Sequence, residues 1–121
     1  MAGSERLICA SGALADSGRA VRFVVERGGE SVPAFVIRFE GAVYGYLNRC
    51  GHRPMELDWR EGEVFDFEGR SLICSTHGAR YAPASGRCLG GPCDGAPLRR
   101  LRVAERDGNI YYQEQDDGRE R

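Results

Sequence analysis

Four glycine-ending dipeptides punctuate this chain: Gly28-Gly29, Glu40-Gly41, Glu68-Gly69 and Asp107-Gly108. Each adjoins short runs rich in β-branched and aromatic residues. Residues 21–25 lead into the first, 34–39 and 42–47 flank the second, 64–67 and 71–73 flank the third, and 100–103 and 109–112 flank the fourth. Such runs form strands, and linkers of this type match the twist of an antiparallel hairpin because they tolerate positive φ. Helix signal is nearly absent. The pattern predicts an all-β domain built from an antiparallel β-sandwich or small barrel. The charged tail from Gln115 to Arg121 is expected to fray.

At 121 residues the chain is sized for one domain with a modest core. Hydrophobic residues make up 41%, charged residues 29%, and the net charge is −1, so no overall bias points to nucleic acid or to an anionic membrane. All 17 basic residues are arginine. Arginine suits bidentate anion recognition, but in a chain rich in Gly and Ala its exclusive use is read first as base composition. No basic segment followed by an apolar stretch opens the sequence, and no 18-residue apolar run occurs in it. The expected location is cytoplasmic, without a membrane anchor. In a reducing cytosol, five cysteines point to metal rather than to a disulfide framework.

Both histidines of the chain follow a cysteine closely, in Cys50-Gly51-His52 and Cys74-Ser75-Thr76-His77, with 21 residues between the two motifs. Each motif comes just after an expected strand, one closing at Leu47 and the other at Ile73. Two hairpin loops of one small sheet can therefore converge. Two thiolates and two imidazoles complete a ligand set, and three readings compete for it. A mononuclear zinc site tolerates these ligands, but structural zinc usually spaces its pairs as Cys-x2-4-Cys and His-x3-5-His, whereas here each loop gives one of each. In the second reading the cysteines are small packed residues and the histidines surface residues. The third is a 2Fe–2S cluster with two thiolates on one iron and two imidazoles on the other. The segment 88–97 holds three glycines and two prolines, a stiff and compact loop suited to lie over a site, or else an ordinary connection.

Cys50-x-His52 and Cys74-x-x-His77-Gly78 together resemble the two cluster loops of the Rieske iron–sulfur family. Gly86-x-x-x-Gly90-Gly91-Pro92 with Pro97-Leu98 resembles that family's third, proline-containing loop. The resemblance runs from about Tyr44 to Val103. It implies a Rieske-type fold in which residues 1–121 form a single domain. A cluster-binding subdomain formed by two hairpin loops spans about residues 45–97, and the flanking strands make the base domain. It also implies one 2Fe–2S cluster per chain, with Cys50 and Cys74 on one iron and His52 and His77 on the other. Neutral imidazoles leave such a centre less anionic than four thiolates do, which raises its potential from about −400 mV into a range of about −150 to +300 mV.

Respiratory members of the family carry an extra cysteine in each loop, joined as a disulfide. Met55 and Thr76 stand at those positions here, so the chain resembles instead the soluble ferredoxins that feed oxygenases. By that resemblance it is an electron-transfer protein rather than an enzyme. Its donor would be a flavin-dependent reductase and its acceptor an oxygenase, with no nucleic acid and no membrane among its partners. A Rieske-type small subunit of a nitrite reductase and a zinc-binding interaction module are the alternatives. In high-potential members, hydroxyls on a serine two residues and a tyrosine four residues after the second histidine bond the cluster sulfurs; here those positions are Ala79 and Tyr81.

Four side features carry expectations of their own. Six acids between residues 56 and 68 form either a docking patch or a solvated hairpin. Trp59 is read as core packing under the cluster loops. Arg49, Arg53, Arg80 and Arg87 stand near the ligands and could ring the cluster tip. Cys88 and Cys93 are expected to be free, partly buried thiols, with a disulfide as the alternative.

Overall fold

The computed structural model describes residues 5–49, 62–74, 78–91 and 97–114. It opens with a strand absent from the reading above, β1 (Glu5–Ala10), followed by a single 3-10 turn at Ser11–Ala13. Strand β2 (Val21–Arg27) then pairs antiparallel with β3 (Glu30–Phe39), from Val21↔Val36 to Arg27↔Glu30, and β3 pairs with β4 (Ala42–Leu47), from Ala34↔Leu47 to Phe39↔Ala42. The turns fall at Gly28-Gly29 and Glu40-Gly41, where the dipeptides predicted them.

Two short stretches of chain, β5 (Leu72–Ile73) and β6 (Arg80–Tyr81), pair with each other, and β6 also pairs with β7 (Cys88–Gly90). The last part of the chain holds β8 (Arg100–Leu101), β9 (Val103–Arg106) and β10 (Asn109–Gln113). Three antiparallel sheets result, ordered β1-β10-β9, β2-β3-β4-β8 and β5-β6-β7. The all-β expectation holds. Among the described residues no helix is long and apolar enough to cross a membrane.

The middle of β3 reads as an unbroken apolar run because both of its faces are covered. Phe35 and Ile37 join Tyr46, Val64, Leu72, Ala79, Tyr81 and Leu98 in one core, which ties the four-stranded sheet to the small sheet. Val32 and Ala34 join Val25, Leu47, Leu101 and Tyr112 in a second core, and Val36 packs with Leu14 and Ile110 in a third; both lean on the β1-β10-β9 sheet. Each large side chain buried this way contributes about 1.5–3 kcal/mol relative to exposure.

The run 100–103, expected as one strand, is divided. Leu101 pairs with Gly45 in one sheet while Val103 pairs with Tyr112 in another, and the chain changes sheets at Arg102. Close approach permits the change: a Cβ on Gly45 would stand 2.7 Å from Val103 Cγ1.

Candidate metal centre

Strand β4 ends at Leu47 and β5 at Ile73, so both ligand motifs leave the ends of strands, as expected. Of the four expected ligands the described residues include Cys74 alone; Cys50, His52 and His77 lie outside them, as do Trp59, Arg53 and Cys93. Cys74 has no exposed surface and sits in the core that includes Ala79 and Tyr81. Its N–H donates to Ala79 O at 2.9 Å, and its carbonyl accepts from Gly78 N at 2.9 Å. These two bonds close the neck of the loop holding residues 75–77, and Gly78 turns the chain back with φ +78°.

The β5–β6 hairpin that carries this loop is braced from outside. Ile73 N donates to Val64 O at 2.8 Å, and Phe65 bridges to Leu72. Ser71 Oγ donates to Asp66 Oδ2 at 2.7 Å, and Arg80 reaches the same oxygen at 2.9 Å. Burial pushes the Asp66 carboxyl up, but hydrogen bonds from Ser71 and from the Arg70 and Ser71 N–H groups outweigh it and hold the group below its ordinary value. Two acids of the supposed docking patch therefore have structural partners, Asp66 with Arg80 and Glu63 with Arg19. The Arg80 guanidinium is turned toward the hairpin in the same way, leaving Arg49 and Arg87 as the described candidates for a ring around the tip.

The third loop rests on the second. Gly91 has φ +87°, and a Cβ there would lie 2.9 Å from both Gly78 O and Ala79 Cα. On the other side, Tyr46 Oη donates to Pro83 O at 2.6 Å, which fastens the β6–β7 connection to β4. Burial pushes the Tyr46 hydroxyl well above its ordinary pKa. Cys88 departs from expectation. It is disulfide-bonded rather than free, its partner lying outside the described residues. Pairing with Tyr81 already fixes its backbone, so bond formation costs little conformational freedom there.

The donor set fits an iron–sulfur centre. A soft thiol is withdrawn from solvent at the mouth of a loop closed by backbone bonds, and Gly91 packs against Gly78 and Ala79 at its neck. The sequence names Cys74 as a candidate but does not reveal the brace of Asp66, Ser71 and Arg80, because no local spacing announces a contact made across a hairpin. The sequence profile of the Rieske [2Fe-2S] domain matches residues 5–105.

The chain belongs to the Rieske [2Fe-2S] family.

Solved Rieske-type structures agree in fold. The ferredoxin of Sphingomonas yanoikuyae B1 superposes with a TM-score of 0.69 at 21% identity, covering 92% of this chain and 99% of that one. The ferredoxin of carbazole 1,9a-dioxygenase from Nocardioides aromaticivorans IC177 gives 0.69 at 21%, over 93% and 99%. The terminal oxygenase of carbazole 1,9a-dioxygenase from Novosphingobium sp. KA1 gives 0.71 at 19%, with 94% of this chain covering 30% of the oxygenase chain. At such identities the likeness is one of fold. No curated protein matches the sequence significantly. Membership in the Rieske family implies a 2Fe–2S cluster.

Proposed function

We propose that this chain is a soluble cytoplasmic electron carrier, a single Rieske domain that takes electrons singly from a flavin-dependent reductase and delivers them to an oxygenase. The observation that carries the reading is the Rieske match over residues 5–105, containing one complete set of two cysteines and two histidines. The cluster, when bound, supplies reversible one-electron chemistry at a potential within about −150 to +300 mV. Cys50 and Cys74 hold one iron, His52 and His77 the other, in a subdomain of about residues 45–97 carried on the flanking strands.

The protein's own part is to position and shield. Cys74 arrives on a strand end that is hydrogen-bonded on both sides, so its sulfur is placed before iron arrives. Gly91 at the start of the third loop packs against Gly78 and Ala79 at the neck of the second, and Cys74 itself has no exposed surface. Both histidines are committed as ligands, so no 2-His-1-carboxylate site is left for oxygen chemistry. The fold likeness to two ferredoxins, over 99% of each of those chains, supports the carrier reading.

Metal analysis with EPR tests this. The purified protein is expected to be red-brown, with two irons and two labile sulfides per chain, and to take up one electron from dithionite. Its reduced EPR signal should have an average g well below that of an all-cysteine 2Fe–2S ferredoxin. Stoichiometric zinc in a colourless protein would establish the zinc-module alternative, and reoxidation of the reduced protein by a nitrite reductase would point to the small-subunit one.

A further inference from the structure

A cavity of about 520 Å³ opens where β4, β8, β9 and β10 meet. Arg27, Arg99, Arg100 and Arg102 line it with Tyr44 and Tyr112, and among the described residues no carboxylate does. In a chain of net charge −1 this concentration of one sign is local. Elsewhere arginines are matched, Arg6 with Glu114, Arg19 with Glu63, Arg38 with Glu105, Arg80 with Asp66 and Arg106 with Glu5, and Arg27 has an interaction of its own. Among the described residues Arg99, Arg100 and Arg102 form no ion pair.

Their backbone is nevertheless fixed. Arg99 O accepts from Leu47 N and Arg102 O from Gln113 N, each at 3.0 Å, while Arg100 pairs with Tyr46. The Arg100 guanidinium lies 5.6 Å from the centre of the Tyr44 ring, a contact that orients it. Like charges held together in a half-enclosed space repel one another, and an anion carrying several charges removes that repulsion. Guanidinium forks also match the oxygens of phosphate and carboxylate in bidentate geometry. The volume falls within the range of about 300–1,000 Å³ usual for small-ligand sites.

We propose that this groove binds a small polyanion bearing two or more phosphate or carboxylate groups. Cys74, the expected iron ligand among the described residues, does not line the groove, and the inference is read out by binding alone, apart from the electron-carrier reading.

Isothermal titration calorimetry on the purified holoprotein tests it, with tripolyphosphate and citrate as separate probes and chloride holding ionic strength constant. Saturable binding of one anion per chain is expected. Arg99→Gln and Arg102→Gln should each weaken it about fivefold or more, because each removes a charge-assisted contact. Arg70→Gln, which deletes the same charge outside the groove, should leave the affinity unchanged. Visible absorption and circular dichroism like those of wild type identify which groove variants are folded, and one folded variant suffices. Binding of tripolyphosphate alone assigns the site to phosphate, and binding of both probes assigns it to oxyanions generally; either supports the proposal. Absence of saturable heat from both probes, or an equal loss in Arg70→Gln, overturns it.

Discussion

A cysteine that is to hold iron must give up its proton, yet be kept from solvent and oxidant. Cys74 meets the second condition at a strand end with no exposed surface. Cys9 is a half-buried residue of β1 opposite Ile110, where burial pushes its thiol above the ordinary value, and it belongs to neither Cys/His motif. Cys9 and Cys74 therefore carry opposite expectations. Cys74→Ser should yield colourless protein, whereas Cys9→Ser should keep the full visible spectrum, and iron content per chain measures both. Tyr81 carries a finer prediction. It has no exposed surface, so its hydroxyl must find a partner inside the protein. In the proposed carrier this tyrosine would donate to a cluster sulfur, a bond that favours the reduced, more negative state. Tyr81→Phe should then lower the potential by on the order of tens of millivolts with the cluster intact, and Ala79→Ser should raise it. Voltammetry that finds Tyr81→Phe equal to wild type would assign the hydroxyl a structural bond only.

Hairpins were the elements most legible in the sequence, since their turns have a steric requirement that composition reveals. Asp107 and Gly108, with φ 52° and 76°, join β9 to β10 at the dipeptide expected to do so. Strands β6 and β7 were not legible, because two or three residues are too few to show alternation. Strand β1 was missed for a different reason: four of its six residues, Glu5, Arg6, Leu7 and Ala10, are exposed, and its partner β10 lies about a hundred residues away in the sequence. Glycines of the third loop were legible as a motif, but their physical reason emerges only from packing. Gly91 has positive φ, and a Cβ on it would strike backbone atoms of the second loop, which cannot swing aside as a side chain can. Gly91→Ala should therefore lift the third loop off the second. The expected outcome is faster bleaching of the cluster in air with the base strands still folded, followed by absorption and far-UV circular dichroism. Bleaching at the wild-type rate would mean that the third loop does not shield the site.

At the scale of the whole molecule, the joining of sheets is what the sequence concealed. Residues 100–103 look like one strand, and only the 2.7 Å approach at Gly45 shows why the chain can hand over from β4 to β10 within them. Arg38 secures the same junction by electrostatics. From β3 it donates to both carboxylate oxygens of Glu105 on β9, at 2.9 and 2.7 Å, and to the carbonyls of Leu14 and Ser11 at 2.9 and 3.2 Å. It thus ties the four-stranded sheet to its neighbour through one largely covered guanidinium. Hydrogen bonds from Arg38 hold the Glu105 carboxyl down to about 2, against an ordinary value of 4.5. A carboxylate whose pKa is lowered in the folded state contributes stability that is complete above its unfolded pKa and lost as pH falls through the folded one. Acidification from about pH 5 toward about pH 2 should remove this contribution. Arg38→Gln should cost about 1–3 kcal/mol at neutral pH, since it leaves the Glu105 carboxylate and two carbonyls short of donors. The variant should also lose less stability than wild type on acidification, because its Glu105 titrates nearer the ordinary value. Urea unfolding of both proteins across this pH range measures the difference, and any acid sensitivity of the cluster is common to the two. Parallel pH profiles would show that the pair contributes packing at the sheet junction and no net electrostatic stability.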